Sequence, residues 1–343
     1  PSTNHRLQTK NPMHANSITC QIRAQNLTLS PTQTNSRNVV MNTLLNPEEI
    51  MVLLSSQYSL AKIQSCSLIR RGFNDHYLVE LESAKYIFRV YLNHKYYIES
   101  PEAFQFELDL LEHLHNDSLP VVNAVRLNTG GLLGRVRTDY GDRFFALFPY
   151  ASGAEIKGDE IAIEQWSELG KTMAQLHISA NHFHSKLKRY HLDLKYLVDE
   201  PLRLITEKIG DRSTSDQDKD ELQDFTESFG PVEPLVDAIK SIDLSKDEFG
   251  IIHGDMHTGN VHFQDNKVVV FDFDHCAYGW RAYDISICFF LPGPQCESML
   301  KGYESQRSLS EQERKCLPVF AKLRRLWDIG DMLATESLRA KPL

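Results

Sequence analysis

A chain of 343 residues holds one large domain or two ordinary ones, and its 41% hydrophobic and 24% charged content is that of a soluble globular protein with a real core. The net charge of -9 argues against nucleic acid as a partner, and no run approaches the roughly 18 to 20 apolar residues that a membrane-spanning helix needs. The six cysteines show no C-x-x-C spacing, which points away from a zinc knuckle or a disulfide scaffold and suits a reducing, cytoplasmic setting.

Residues 1–40 contain no Asp or Glu, are rich in Asn, Gln, Ser and Thr, and lack a hydrophobic period, so they read as disordered, as a transit segment or as a non-native extension. Beyond Met41 the signals change. Asn46, Pro47 and Glu49 supply an N-cap, a first-turn proline and a capping-box acid, predicting a helix over 47–57. Strand-like runs follow at Ser67–Arg70, His76–Leu81 and Tyr86–Leu92, joined by "RRGFND" and "ESAK" as an antiparallel meander. Ser100-Pro101-Glu102 opens another helix, with Phe104, Leu108, Leu111 and Leu114 along one side. Strands at Leu132–Val136 and Arg143–Phe148 complete a sheet of about five, and "PYASGAE" reads as a connector between lobes.

Past the connector the pattern is mainly helical, with helices expected at 160–180, 193–209, 217–229 and 232–242. Short strands are expected at 249–252, 261–263 and 267–272, helices resume near 282, and the last runs from Ser310 to about 338. The fold class is therefore α+β: an N-terminal lobe over 41–148 and a larger helical lobe over 149–343, together one domain.

The chemistry concentrates in "IIHGDMHTGN". Asn260 follows Asp255 at the fifth position, and Asp272 ends an apolar strand twelve residues further on, in "VVVFDFD". A magnesium ion carrying ATP phosphates wants hard oxygen donors, which Asn260 and Asp272 offer. Phosphoryl transfer wants a carboxylate beside the acceptor hydroxyl, which Asp255 offers, while His253 braces the loop. Upstream, Arg89 in the third strand and Glu107 in the next helix stand where kinases keep a phosphate-binding cation and its ion-pair partner, and Gly72 and Asn74 lie in the turn that covers the phosphates. A rival from another class is a metal-dependent hydrolase using His253, Asp255, His257 and Asp272, with Asp274 and His275 as further donors; it leaves Arg89 and Glu107 unexplained.

Through "HGDMHTGN" and "VVVFDFDHCAYGWRAYDIS", the chain resembles the aminoglycoside phosphotransferase-like family of small-molecule kinases, which includes choline kinases, and in layout its type II homoserine kinase and stress-response kinase branch. "LGKTMAQLH" and "FALFPYASG" extend the resemblance over roughly 45–335. It implies a two-lobed protein-kinase-like fold, ATP and Mg2+ as cofactors, and γ-phosphate transfer to a hydroxyl of an amino alcohol, homoserine-like amino acid, sugar or aminoglycoside. A Ser/Thr protein kinase on the same fold is the alternative. Carried over by position, Asp255 is the base, Asn260 and Asp272 are metal ligands, and Arg89 and Glu107 form the nucleotide-side pair. Backbone atoms of Phe148, Pro149 and Tyr150 meet the adenine, Asp274 and His257 lie near the acceptor or the loop base, and Asp284 braces the catalytic loop. Arg89 replaces the commoner lysine with a planar fork, and Arg71 precedes Gly72 where many members have a double glycine.

Overall fold

The computed structural model describes residues 44–339, apart from 139, 140, 243 and 246 and the side chain of 339; the expectation for residues 1–40 lies outside them. The chain opens with helix α1 (Pro47–Gln57), whose N-cap Asn46 Oδ1 accepts the Glu48 amide at 2.8 Å. Strands β1 (Ile63–Arg71), β2 (Asn74–Leu81) and β3 (Lys85–Tyr91) form the meander, helix α2 (Glu102–Asn116) follows, and β4 (Gly134–Thr138) and β5 (Gly141–Pro149) complete an antiparallel sheet in the order β1-β2-β3-β5-β4.

Alternation along β3 separates two cores. Phe88 and Val90 pack with Ile50, Leu54 and Phe145 under α1, whereas Tyr91, with Ala146 and Phe148 of β5, joins the core shared with the helical lobe. Because side chains alternate at period two, Arg89 shares the second face with Tyr91 and is carried, buried, toward the cleft.

Helix α3 (Ile163–Ala180) leads to the two-residue strand β6 (His191–Leu192), a π-helical turn at Lys195–Asp199, and helices α4 (Glu200–Gly210), α5 (Asp216–Phe229) and α6 (Glu233–Lys240). Strand β7 (Phe249–Ile252) leads into the loop that carries His253, Asp255 and Asn260. β8 (Val261–Gln264) and β9 (Lys267–Val270) form a hairpin. β10 (Ala277–Trp280) runs antiparallel to β7 and parallel to β6, and helices α7 (Arg281–Ile285), α8 (Gly293–Glu304) and α9 (Glu311–Arg339) finish the chain. The sequence pattern had not marked β6 or β10, because strands so short are held by non-local pairing and not by their own composition. β9 stops two residues earlier than expected because Asp272 takes a left-handed backbone, with φ 65°.

Helices α3 and α8 pack closely at Gly170, where an added Cβ would stand 1.9 Å from the Met299 carbonyl oxygen. Gly170→Ala should therefore force the helices apart and cost about 1–3 kcal/mol of stability in urea unfolding; an unchanged midpoint would contradict this packing.

Candidate active site

Strand β7 delivers residues 253–257 into the cleft, and one buried carboxylate fixes their path. Asp284 Oδ2 accepts the His253 amide at 2.7 Å, and Oδ1 accepts the Gly254 amide at 2.9 Å. His177 Nε2 donates to Asp284 Oδ2 at 3.0 Å while its Nδ1 accepts the Tyr303 hydroxyl at 2.9 Å. Burial alone would raise the Asp284 carboxyl; these donors outweigh it and hold it below its ordinary value. Gly254 turns the chain at φ +83°, and a Cβ there would stand 2.2 Å from the His275 carbonyl oxygen, so the middle residue of "HGD" has to be glycine.

His253 is used up on the loop itself. Its Nδ1 accepts the Asp255 amide at 3.2 Å, which makes Nε2 the protonated nitrogen, donating to Phe271 O at 3.1 Å. Burial lowers its pKa and keeps it neutral. With both ring nitrogens engaged it has no lone pair for a metal, which removes the first ligand of the hydrolase reading. Among the described residues, no group of three or more His, Cys, Asp and Glu is placed to hold a metal ion.

Asp255 sits among donors. Arg324 Nη2 reaches Oδ1 at 3.0 Å, His257 Nε2 lies 3.4 Å from Oδ2, and Asn260 Nδ2 donates to the Asp255 carbonyl at 2.9 Å and to Oδ2 at 3.3 Å. Burial raises its carboxyl, but His257 and Arg324 overcome this and hold it well below the usual carboxylate range. The same contact with Asp255 raises His257 against its own burial. With its amide hydrogens turned to Asp255, Asn260 keeps its side-chain oxygen as the atom available to a cation.

Across the cleft, Arg89 Nη1 donates to Glu107 Oε1 at 2.6 Å, and Nη2 stands 3.1 Å from Asp272 Oδ1. Tyr91 Oη donates to Glu107 Oε2 at 3.2 Å, and the Arg89 guanidinium lies 4.7 Å from the centroid of the Phe148 ring. Burial disfavours the Arg89 charge, yet Asp272 and Glu107 keep it protonated; burial also pushes Glu107 upward, against the pull of Arg89. Asp272 Oδ1 is buried without a well-aligned hydrogen bond, an oxygen placed to meet a hard cation. Asp274 pairs with Lys95, whose ammonium also reaches Asn74 Oδ1 at 2.9 Å. Asn74 further accepts the Leu92 amide at 3.0 Å, so its oxygen is spent tethering the β1–β2 turn.

Arg70, Phe73, Asn74 and His76 from that turn close over Asp255, Asn260, Asp272, Asp274 and His275 in one pocket. Gly72 is at the tip, its amide donating to Asn74 O at 3.0 Å. In the connector, the Tyr150 amide is already given to Lys85 O at 2.9 Å. The structure thus brings Asp255, Asn260, Asp272, His257 and Asp274 together, sets Arg89 and Glu107 behind Asp272, and keeps His253 and Asp284 beneath the loop. Sequence reasoning missed Lys95 and Arg324. It also missed Arg189, whose guanidinium ties Ala103 O (2.7 Å), Cys276 O (2.5 Å) and Asp274 O together.

Residues 65–318 match the sequence profile of the phosphotransferase enzyme family. The chain belongs to that family. It is an enzyme that transfers phosphate to an alcohol group, and its fold is kinase-like. An uncharacterized protein of Synechocystis is 31% identical over 82% of this chain and 77% of its own length. A homoserine kinase of Zymomonas mobilis is 27% identical over 83% of this chain and 88% of its own. Among solved structures, an amicoumacin kinase in complex with AMP-PNP, Ca2+ and amicoumacin superposes with a TM-score of 0.65 at 19% identity, covering 83% of this chain and 85% of that one. No helix among the described residues of this phosphotransferase is long and apolar enough to cross a membrane.

Burial pushes His177 down to about 4 despite Asp284, whereas the unfolded chain protonates near 6.5. The folded group is the weaker proton binder, so its contribution is present above pH 6.5 and is lost as pH falls toward 4. The destabilisation caused by His177→Gln should therefore be about 2 kcal/mol smaller at pH 5 than at pH 7.5. Equal urea-unfolding differences at the two pH values would contradict a neutral, buried His177.

Proposed function

We propose that this enzyme moves the γ-phosphate of ATP to a hydroxyl of a small molecule, with Asp255 as the base. The observation that supports this most is the convergence of Asp255, Asn260 and Asp272 on one pocket, with Arg89 bridging Glu107 to Asp272 behind it. Asn260 and Asp272 would hold magnesium, which when bound would neutralise charge on the phosphate oxygens. The homoserine kinase relatives favour a small acceptor over a protein one.

In this reading the acceptor hydroxyl lies against the Asp255 carboxylate. Its oxygen forms the bond to the γ-phosphorus, the bond to the leaving ADP oxygen breaks, and the hydroxyl proton passes to Asp255. Arg324 and His257 fix the direction of that carboxylate and keep it ionised. Arg89, oriented by Glu107 and Tyr91, presents its charge to the phosphates, and Gly72 lets the turn lie close above them. Adenine would rest at the connector against the backbone of Phe148, Pro149 and Tyr150; since the Tyr150 amide is committed to Lys85, the carbonyls of this stretch carry the contact.

Asp255→Asn should lower kcat at least ~100-fold, the usual worth of a positioned base, while leaving nucleotide affinity nearly intact. Transfer at the wild-type rate would remove Asp255 from the role. Asp272→Ala should instead weaken Mg-nucleotide binding by ~10-fold or more, since outer-shell changes alone reach that size. Titration of a fluorescent ATP analogue with and without Mg2+ reads this directly, and unchanged affinity would count against the metal role.

A further inference from the structure

The turn that covers the pocket has already spent several of its polar groups. The Gly72 amide donates to Asn74 O at 3.0 Å, and the Asn74 side-chain oxygen accepts from the Leu92 amide and from Lys95. Arg71 stands before Gly72, so the tip lacks a second glycine that would let its backbone lie flat against a ligand. Two side chains on the flanking strands remain, and both line the pocket: Arg70 on β1 and His76 on β2.

Pairing across the sheet sets these two in one row with Arg89. Arg70 is the cross-strand partner of His76, and His76 is the cross-strand partner of Arg89. Residues opposite one another in an antiparallel sheet share a face, and Tyr77 and Val79 of β2 occupy the other face, in the core under α1. His76 is thus turned to the cleft, as Arg89 is, and its Nδ1 is buried without a hydrogen-bond partner. Burial pushes its pKa down to about 4, so it stands as a neutral imidazole with one N–H to give.

The carboxylates of this pocket are each matched. Asp255 holds Arg324 and His257, Asp272 holds Arg89, and Asp274 holds Lys95. Among the described residues, no carboxylate pairs with Arg70. Basic groups opposite one another across strands destabilise a sheet, so two arginines flanking a histidine cost stability unless an anion lies against them. A nucleoside triphosphate is such an anion. It stays negative after binding one magnesium ion, and its oxygens accept from guanidinium forks and imidazoles alike.

Resting on the phosphotransferase reading, we propose that Arg70 and His76 are phosphate-binding residues, which with Arg89 form one row of side chains gripping the nucleotide's phosphates from the covering strands. Strand side chains then carry a task that a glycine-rich turn gives to its backbone amides.

The test is calorimetric binding of three probes to the full chain with Mg2+: a non-hydrolysable ATP analogue, tripolyphosphate and adenosine. Arg70→Met and His76→Leu should each bind the analogue and tripolyphosphate at least ~10-fold less tightly, the scale of a lost hydrogen bond to a charged group. Adenosine should bind both variants as it binds the wild type, which serves as their folding control. Arg70→Lys, which keeps the charge, should recover part of the loss. Wild-type affinity for the analogue in either Arg70→Met or His76→Leu overturns the inference. So does an equal loss for adenosine, which a distorted cleft would give. Phosphoryl transfer from ATP, measured alongside, separates the two claims. Transfer with an unmoved KM for ATP in both variants removes the row and keeps the kinase reading. Analogue binding that both variants weaken, with no transfer by the wild type to any acceptor, does the reverse.

Discussion

The loop that carries Asp255 hangs on the Asp284 carboxylate. It is fully buried and accepts three hydrogen bonds, from the His253 and Gly254 amides and from His177. A buried charge is tolerated only when its lone pairs are met, and meeting them here fixes two consecutive peptides of the loop. Gly254 then turns the chain where no side chain fits. His253 locks the next amide, and Asp255 emerges with its carboxylate already aimed. Arg324 and Asn260 hold that aim from α9 and from the loop end. The Asp255 carboxylate is thus placed from beneath and beside the loop, the kind of fixing that the proposed phosphoryl transfer by positioning would demand.

A second set of ion pairs joins the sheet to this loop. Arg89 spans Glu107 and Asp272, and Lys95 joins Asn74 to Asp274. Each links an N-terminal cation to a carboxylate in the segment after β9. In a low-dielectric cleft such pairs are strong only while geometry is kept, so a change in what Asp272 binds is felt by Arg89. The Arg89 fork addresses two carboxylates through separate nitrogens, Nη1 on Glu107 and Nη2 on Asp272, in a fixed planar geometry that a lysine ammonium does not supply.

Much of this was legible in the amino-acid order. The Asn46-Pro47 start of α1 and the apolar side of α2 rest on local rules and the structure keeps them; the meander keeps its order, though β1 begins at Ile63 and β2 at Asn74, ahead of the expected Ser67 and His76. Asp255, Asn260 and Asp272 announce themselves because their chemistry is packed into one short stretch. What stayed hidden is non-local. Arg324 lies 69 residues from the carboxylate it contacts, on the last helix. A signal was present: Arg324 and Asp331 share a helical side with Trp327, so charged residues interrupt the buried stripe of α9, and that breaks amphipathic logic unless they face a site. Asn74 shows the opposite limit. Its place in the covering turn was readable, but that its oxygen serves Lys95 depended on which strand lay beside it.

The most direct test of the account follows the label from γ-32P ATP with Mg2+ and a mixed pool of small amines, sugars and a protein acceptor. Label is expected in a small-molecule phosphate ester, and it should be lost when EDTA removes the metal. Label appearing solely as inorganic phosphate, or on protein, would contradict it.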